Sequence, residues 1–240
     1  MKKEISIVMP AFNEEANIEK TVRDCFLALE RLGVSGEVVV TDDGSIDKTR
    51  SIIEGLKNEY PDLSVVIHEK NSGYGESLKD AIFAARGKYI VSIDSDGQFD
   101  ISEIPVLIKE QNKGYDVVAG YRKKKKDAAF KVIADRGLNI IMRMLFGVSY
   151  RDTNCAFKLY SPGILDKIHI EARGYQAPTE ILMKLHTIGA RIAEVGVTHF
   201  AREKGKSALS PFRTIYQMLV FLIYLRLKVY LYKMRIIKEL

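Results

Sequence analysis

Short apolar runs and longer amphipathic segments alternate over the first 120 residues of the chain. Apolar runs bounded by Pro, Gly or Asp predict buried strands, and apolar residues at helical spacing predict helices between them. The predicted strands cover residues 5–9, 38–40, 64–67 and 89–93, and the predicted helices cover residues 14–32, residues 47–59 and a segment that ends near Gly87. This alternation predicts an α/β fold with a mostly parallel sheet and helices on both faces.

Acidic residues follow three of the predicted strands where each strand ends. Glu14 follows the first strand, Asp42 and Asp43 the second, and Asp94 and Asp96 the fourth. Open parallel sheets bind ligands outside the carboxyl ends of their strands, so these carboxylates are expected to meet at one edge. Carboxylates brought together repel unless a cation or a strong donor lies between them. Oxygen ligands of this kind suit Mg²⁺ or Mn²⁺ held together with ligand phosphates, and the pattern predicts a metal–nucleotide site.

Several other kinds of site fit the sequence poorly. An EF-hand loop needs glycine at its sixth position, and here Gly97 is the fourth residue from Asp94. A phosphohydrolase motif would have Thr or Val in place of Gln98. The dinucleotide pattern G-x-G-x-x-G does not follow the first strand, and no Walker A sequence occurs. Two cysteines and four histidines provide few ligands for a zinc site. Two cysteines also cannot form a disulfide framework, which favours a reducing compartment.

Length and charge add two further points. A chain of 240 residues is long enough for one large domain, or for one domain with an appendage. The net charge of +6 is uneven: residues 201–240 carry nine Lys or Arg and two Glu, and residues 120–136 carry seven basic and two acidic side chains. Positive charge concentrated at two places predicts anionic partners there, such as phosphates, nucleic acid or an anionic membrane.

The C-terminal segment is apolar but not a clear membrane span. Residues 215–232 contain 15 apolar positions, and the longest unbroken apolar run has eight residues, against ~18 for a clear transmembrane helix. On a helical projection one sector collects a basic and polar stripe: Arg213, Gln217, Lys228, Arg235 and Lys238. We predict an amphipathic helix that lies in the membrane interface, with packing on a partner subunit as the alternative.

Short motifs follow one another in order along most of the chain. They are Pro10-x-x-Asn13-Glu14, Asp42-Asp43-Gly44-Ser45-x-Asp47-x-Thr49, Asn71-x-Gly73-x-Gly75, Asp94-x-Asp96-x-Gln98, Gly120-x-Arg122, Arg136-Gly137-x-Asn139, Asp152-Thr153, Phe157-Lys158-Leu159-Tyr160, Glu180 and Arg202-x-x-Gly205-x-Ser207. Together they resemble the family 2 glycosyltransferases, which have the Rossmann-like nucleotide-diphosphosugar (GT-A) fold. Among these they most resemble the dolichol- or polyprenyl-phosphate sugar synthases, including mannosyltransferases.

The resemblance implies roles for individual residues. Those implied to bind the nucleotide sugar are Pro10, Phe12, Glu14, Thr41, Asp43, Asp94, Ser95, Glu180 and Lys184, the last two on the sugar side. Asp94, Asp96 and Gln98 are implied to hold Mg²⁺ or Mn²⁺. Arg122 and Arg136 are implied to contact the acceptor phosphate, and Arg202 to approach the diphosphate. Asp96, Arg122, Arg136 and Arg202 form the implied catalytic set. Ser95 stands where the family often has alanine, and Ala208 follows Ser207 where the family usually has lysine.

The function implied is sugar transfer from a donor such as GDP-mannose or UDP-glucose to a dolichyl or polyprenyl phosphate, at the cytoplasmic face of a membrane. We expect a catalytic domain over residues 1–210 and a membrane-associating helix over residues 211–240, and self-association is left open. The alternative enzyme transfers sugar to a glycan or a protein. A nucleic-acid-binding protein is disfavoured because the charge lies near an apolar helix rather than among exposed aromatic residues.

Overall fold

The computed structural model describes residues 3–123, 129–202 and 211–240, with the side chains of residues 129–136 and 211–213 outside the description. The strands are β1 Ile5–Ala11, β2 Gly36–Asp42, β3 Leu63–Ile67, β4 Tyr89–Ser92, β5 Val117–Arg122, β6 Lys158–Tyr160 and β7 Ile192–Val197. The helices are α1 Ile18–Leu32, α2 Thr49–Glu59, α3 Tyr74–Ala84, α4 Ile104–Gln111, α5 Ala129–Phe146, α6 Ala177–Thr187 and α7 Pro211–Lys233.

The seven strands form one sheet in the order β3-β2-β1-β4-β6-β5-β7. Within the described chain, β6 is the strand that runs antiparallel to its neighbours, β4 and β5. Strand β1 lies between β2 and β4, so successive strands were added on opposite sides of β1. Such a reversal of strand order leaves a crevice at the carboxyl ends of the strands. Asp42 pairs with Ala11 in register, which brings the ends of β1 and β2 to the same level.

Helices cover both faces of the sheet, as the sequence predicts. Successive residues of a strand point to opposite faces. In β1, Ile7 packs into a core with α1, α2 and α4, whereas Val8 packs into a core with α3, α5, α6 and α7. All seven residues of β1 are buried, which confirms that the apolar N-terminal run is a central strand.

The predicted elements of the first 93 residues are present, although α1 begins at Ile18 rather than at residue 14 and α3 ends earlier than expected. That helix ends at Ala84 rather than near Gly87. The Gly87 amide donates to Ser6 Oγ at 2.8 Å, and a Cβ on Gly87 would lie 2.4 Å from the Ser6 nitrogen. The chain therefore leaves the helix early to pass against β1, and glycine is required at that crossing.

Helix α7 is apolar on two opposite faces. Met218, Leu222, Leu225 and Val229 are buried against the body of the protein. The opposite face carries exposed side chains at helical spacing, which we call the exposed apolar stripe: Tyr216, Val220, Ile223, Leu227 and Tyr230. By length and composition, residues Thr214–Lys233 could also cross a membrane. One face of this helix is already packed on the body of the protein.

Two of the five residues expected in the basic stripe, Arg235 and Lys238, lie beyond the C-terminal helix, and the side chain of Arg213 is outside the description. The helix ends at Lys233, and Arg235 adopts a left-handed backbone conformation with φ of 59°. Arg235 and Lys238 therefore lie beyond the helix and cannot share a sector with Lys228. Lys228 itself is paired with Glu171. The described side chains of α7 therefore form one packed apolar face and one exposed apolar face, rather than an apolar face and a basic face.

Candidate active site

The ends of β1, β2 and β4 bring acidic side chains to one crevice. Glu14 follows β1, Asp43 follows β2, and Asp94 and Asp96 follow β4. One Arg202 nitrogen lies 2.9 Å from Glu14 Oε1 and 3.0 Å from Asp96 Oδ2, so these two carboxylates share a guanidinium. The geometry agrees with the expectation that separate strand ends contribute carboxylates to one place.

Two loops below the crevice are tied together by the first two motifs. Asn13 has a left-handed backbone with φ of 54°, and its amide donates to Ser45 Oγ at 3.0 Å. Its side-chain Oδ1 accepts from the Ile46 amide at 2.9 Å. The Glu14 amide donates to Thr49 Oγ1 at 2.8 Å. These hydrogen bonds between motif residues therefore have a structural role. They fix the backbone that carries the Glu14 carboxylate.

Asp43 organises the glycine-containing turn that follows β3. Its carboxylate accepts from the amides of Ser72 at 2.8 Å and Gly73 at 3.0 Å. His68 lies between Asp43 and Asp80, with its ring nitrogens 2.8 and 2.9 Å from the two carboxylates. Burial disfavours the charged imidazole, but both carboxylates favour it, and the pKa of His68 is raised. Asp43 is 1% exposed, so in this structure it shapes the turn rather than presenting free oxygens.

Asp94 lies under an aromatic pair that the sequence analysis did not single out. The Tyr74 hydroxyl donates to Asp94 Oδ1 at 2.8 Å, and the Tyr74 ring stacks on Tyr175 with centroids 5.0 Å apart. Burial, followed by the nearby charge of Asp96, raises the pKa of Asp94 to about 7. A cation close to the Asp94–Asp96 pair would favour the ionised form of Asp94. The signal available in the sequence was a tyrosine between two glycines, Gly73 and Gly75.

Asp96 and Gln98 are held by their own loop and by the segment after β7. Asp96 Oδ1 accepts from the Gln98 amide at 3.1 Å. Gln98 Nε2 donates to the Phe200 carbonyl at 2.8 Å, and the Phe200 amide donates back to the Gln98 carbonyl at 2.7 Å. Gln98 thus fixes the chain two residues before Arg202. Burial opposes charge on Arg202, yet Glu14 and Asp96 together raise its pKa.

The basic side of the crevice is built on β5 and β6. The Arg122 guanidinium, at the end of β5, pairs with both oxygens of Asp152 at 2.7 and 3.1 Å. Lys158 on β6 is fully buried and donates to the carbonyls of Thr153 and Cys155. Burial lowers the pKa of Lys158, whereas Asp152 and Asp94 are among the groups that oppose this. Sequence reasoning gave Lys158 no role, although a lysine inside an apolar strand run was the available signal.

Four of the remaining predicted residues lie close to the strand ends, with little exposed surface. Pro10 and Thr41 are buried in β1 and β2, Ser95 is 5% exposed, and Phe12 is half-buried. The Thr41 hydroxyl has no hydrogen-bond partner among the described residues. Arg136 lies in α5, and its side chain is outside the described part of the chain, as are Gly205 and Ser207 of the last motif.

Glu180 and Lys184 differ from the expectation that they line the sugar side. Both are 0% exposed, and Lys184 Nζ lies 2.7 Å from Glu180 Oε1. Residues i and i+4 lie on the same helix face, and this face of α6 is covered by the chain around Glu171 and Ala172. Neither side chain is accessible to a ligand in this structure. Their contacts instead hold the covering segment in place.

The oxygen ligands at the crevice fit a divalent cation with few protein ligands. Within the described residues, no three His, Cys, Asp or Glu side chains form a metal-binding group. Asp94 and Asp96 supply two carboxylates, and burial, followed by the charge of Asp96, raises the pKa of Asp94. Mg²⁺ is commonly held by one or two carboxylates with the remaining ligands supplied by water and ligand phosphates. The two residues fit that pattern.

The fold is an α/β sheet with an acidic crevice where the strand order reverses. Proteins of this class bind charged ligands in that crevice. Residues 6–168 match the family described as "Glycosyl transferase family 2", and the chain belongs to that family. The resemblance of the motifs and the expected fold class are confirmed by this match.

Curated relatives match over most of this chain. An undecaprenyl-phosphate 4-deoxy-4-formamido-L-arabinose transferase from Enterobacter sp. (strain 638) is 32% identical over 88% of the chain and 64% of the relative. The corresponding protein from Pectobacterium atrosepticum is 27% identical over 89% of the chain and 64% of the relative. The chain therefore spans less than two thirds of the length of these relatives.

Solved structures agree on the fold. A glucosyl-3-phosphoglycerate synthase from Mycobacterium tuberculosis, solved with Mn²⁺ and UDP-glucose, superposes with a TM-score of 0.73 at 23% identity, over 93% of this chain and 79% of that chain. The same protein with phosphoglyceric acid gives a TM-score of 0.72 at 24% identity, over 95% and 80%. At this identity the similarity establishes the GT-A-like fold and nothing more specific.

Proposed function

We propose that the protein transfers a sugar from a nucleotide-diphosphate donor to a polyprenyl or dolichyl phosphate at the cytoplasmic face of a membrane. The observation that carries the proposal is the crevice in which Asp94 and Asp96 lie side by side and Arg202 bridges Asp96 to Glu14. Carboxylates that hold a cation, together with a guanidinium, are the groups that a diphosphate leaving group needs. The names of the curated relatives support a lipid-phosphate acceptor.

On the donor side, Asp94 and Asp96 would hold Mg²⁺ or Mn²⁺, which supplies positive charge where the diphosphate becomes more negative. Tyr74 keeps Asp94 in place through its hydroxyl. Arg202 already contacts Asp96, and its guanidinium would move from the carboxylates to the diphosphate. Glu14 and the turn ordered by Asp43 would border the nucleoside.

On the acceptor side, a phosphate oxygen attacks the anomeric carbon, and the bond from that carbon to the diphosphate oxygen breaks. A phosphate monoester is ionised near neutral pH, so no general base has to remove a proton. Arg122 and Arg136 would position the acceptor phosphate. The Arg122 guanidinium is already oriented by Asp152. Positive charge on residues 120–136 suits two anionic substrates.

Membrane association would be supplied by the exposed apolar stripe on α7. The stripe begins and ends at tyrosines, Tyr216 and Tyr230, which suit the boundary between lipid and water. Beside it, Arg226 and Lys233 line a pocket of about 260 Å³, and neither has a carboxylate partner among the described residues. Apolar surface flanked by cations is typical of helices that bind anionic membranes.

The test is transfer by the full chain in detergent with Mg²⁺ or Mn²⁺ and a polyprenyl phosphate. The donor panel would hold GDP-mannose, UDP-glucose and nucleotide-linked 4-deoxy-4-formamido-L-arabinose, with product detected by mass. A lipid-linked product from one donor is expected. Donor hydrolysis without a lipid product would move the acceptor to a glycan or a protein. A folded protein that uses none of the donors would contradict the proposal.

A further inference from the structure

Glu171 joins α7 to α6 through its carboxylate. Oε2 lies 2.6 Å from Lys184 Nζ on α6 and 2.5 Å from Lys228 Nζ on α7, and Oε1 accepts from the Tyr224 hydroxyl on α7 at 3.1 Å. Burial disfavours the charged carboxylate, but the hydrogen bonds from the two lysines outweigh it and lower the pKa of Glu171 to about 2. Glu171 is therefore ionised throughout the neutral range and holds both lysines.

The backbone next to Glu171 is fixed from below by Glu180. The Glu180 carboxylate accepts from the amide of Glu171 at 3.1 Å and from the amide of Ala172 at 2.8 Å. Lys184 completes the arrangement, with Nζ 2.7 Å from Glu180 and 2.5 Å from the His169 carbonyl. Two carboxylates and a fully buried lysine thus determine where residues 171–173 run.

Residues 171–175 in turn form one wall of the glycine turn before α3. The Gly75 amide donates to the Arg173 carbonyl at 2.8 Å. A Cβ on Gly75 would lie 1.8 Å from the Ala172 oxygen, and a Cβ on Gly73 would lie 2.3 Å from the Arg173 oxygen. These distances leave no room for a side chain, so the two segments fit as one unit. A displacement of residues 171–173 has to move the turn.

The glycine turn carries groups of the crevice. Gly73 donates its amide to Asp43, and Tyr74 donates its hydroxyl to Asp94 while it stacks on Tyr175. Hydrogen bonds and close packing therefore run without a gap from Lys228 on α7, through Glu171, to Asp94. This path connects the exposed apolar helix with the carboxylates of the crevice.

We propose that Glu171 is a positioning residue that couples the seating of α7 to the placement of Tyr74 and Asp94 in the crevice. The role in catalysis rests on the proposed function, whereas the coupling itself concerns only this chain's own contacts. Membrane contact at the exposed stripe and chemistry at Asp94 are then linked by one carboxylate. Truncation or displacement of α7 disturbs the donor site even though no described side chain of α7 lies in it.

The variant Glu171→Gln keeps the side-chain volume and removes the charge that holds Lys184 and Lys228. Glu239→Gln is the matched control, because Glu239 also connects the C-terminal tail to the same segment, through His169 at 2.9 Å, but both partners are largely exposed. Tyr224→Phe and Lys228→Gln remove single contacts from α7 and serve if Glu171→Gln does not fold.

The measurement is site-resolved amide hydrogen exchange of the full chain, with transfer kinetics alongside. We expect Glu171→Gln to speed exchange of the Gly75 and Ala172 amides about tenfold or more and to lower kcat about tenfold, with the KM for the lipid phosphate unchanged. Glu239→Gln should change neither quantity. Unchanged exchange at Gly75 in folded Glu171→Gln, or equal effects in the two variants, would overturn the coupling. Absence of transfer by the wild-type protein overturns the proposed function instead and leaves the exchange result to decide the coupling.

Discussion

The crevice at the strand ends and the outer face of α7 are held by different kinds of interaction. In the crevice, Glu14, Asp43, Asp94 and Asp96 each accept at least one directed hydrogen bond from a named neighbour. Helix α7 is seated by buried apolar area and by the contacts of Lys228 and Tyr224 with Glu171, whereas the side chains of the exposed stripe have no hydrogen bond or ion pair among the described residues. Substitution of Asp96 should therefore change chemistry more than folding, whereas substitutions on α7 should change stability or membrane binding according to the face.

The largest expected effect in this comparison is that of Asp96→Asn. The amide keeps the shape but removes the charge that pairs with Arg202 and that, in the proposed function, would bind the divalent cation. We expect turnover to fall by about 10²–10³-fold with an unchanged circular dichroism spectrum. Glu54→Gln, on the exposed side of α2, is the control for loss of one carboxylate. Full activity in Asp96→Asn would remove Asp96 from the mechanism.

The two faces of α7 can be separated with a matched pair of leucines. Leu225 is 0% exposed and Leu227 is 56% exposed. Leu225→Ala should lower the free energy of unfolding by about 2–5 kcal/mol, because it leaves a cavity. Leu227→Ala should stay within about 0.5 kcal/mol, because its side chain is already in solvent. Urea denaturation measures both, and equal losses would mean that α7 is not seated as described.

The exposed stripe is tested by vesicle binding. The double variant Ile223→Ser with Leu227→Ser removes two apolar side chains that can enter lipid at about 1.5–3 kcal/mol each when fully buried. We expect partition to anionic vesicles to weaken about 10–100-fold in a flotation assay. Phe83→Ser, at a 70% exposed position on α3, is the control. If both variants lose the same affinity, the stripe has no special role.

A smaller effect is expected from pH at His68. Its pKa is raised in the folded state, so the two carboxylate contacts contribute fully below the unfolded pKa of about 6.5 and are lost as pH rises through the higher folded value. The wild-type protein should therefore lose stability above pH 6.5 relative to His68→Gln, on the order of 1 kcal/mol. Thermal or urea unfolding across pH 6 to 9 measures the difference, and parallel curves would contradict it.

Local pattern was sufficient for the first half of the sheet. Strands β1 to β4 are short apolar runs, so the positions of Asp43, Asp94 and Asp96 followed from strand ends, even though β4 pairs with β1 rather than with β3. Strand β6 is different, because its three residues lie between β4 and β5 and run antiparallel to both. No local pattern encodes that insertion, and Lys158 was consequently read as part of a motif and not as a buried cation.

The burial of Glu180 and Lys184 shows a second limit. Charges at i and i+4 on a helix are usually exposed, and the sequence could not show that residues 171–173 cover them. The basic stripe was wrong at Arg235 and Lys238 for a related reason, because the projection assumed a helix that continues past Lys233, whereas the chain turns at Arg235. Both outcomes depend on contacts between segments that are distant in sequence.

The measurement that tests the central claim most directly compares two acceptors that differ only in the phosphate. The full chain would be supplied with its preferred nucleotide sugar and divalent cation, and with an equimolar mixture of a polyprenyl phosphate and the corresponding polyprenol. Because the Arg122 guanidinium is held in position by Asp152, we predict a lipid-linked sugar from the polyprenyl phosphate and none from the polyprenol. Comparable product from the alcohol would contradict the account, because an acceptor without a phosphate would then need a base that the proposed mechanism does not include.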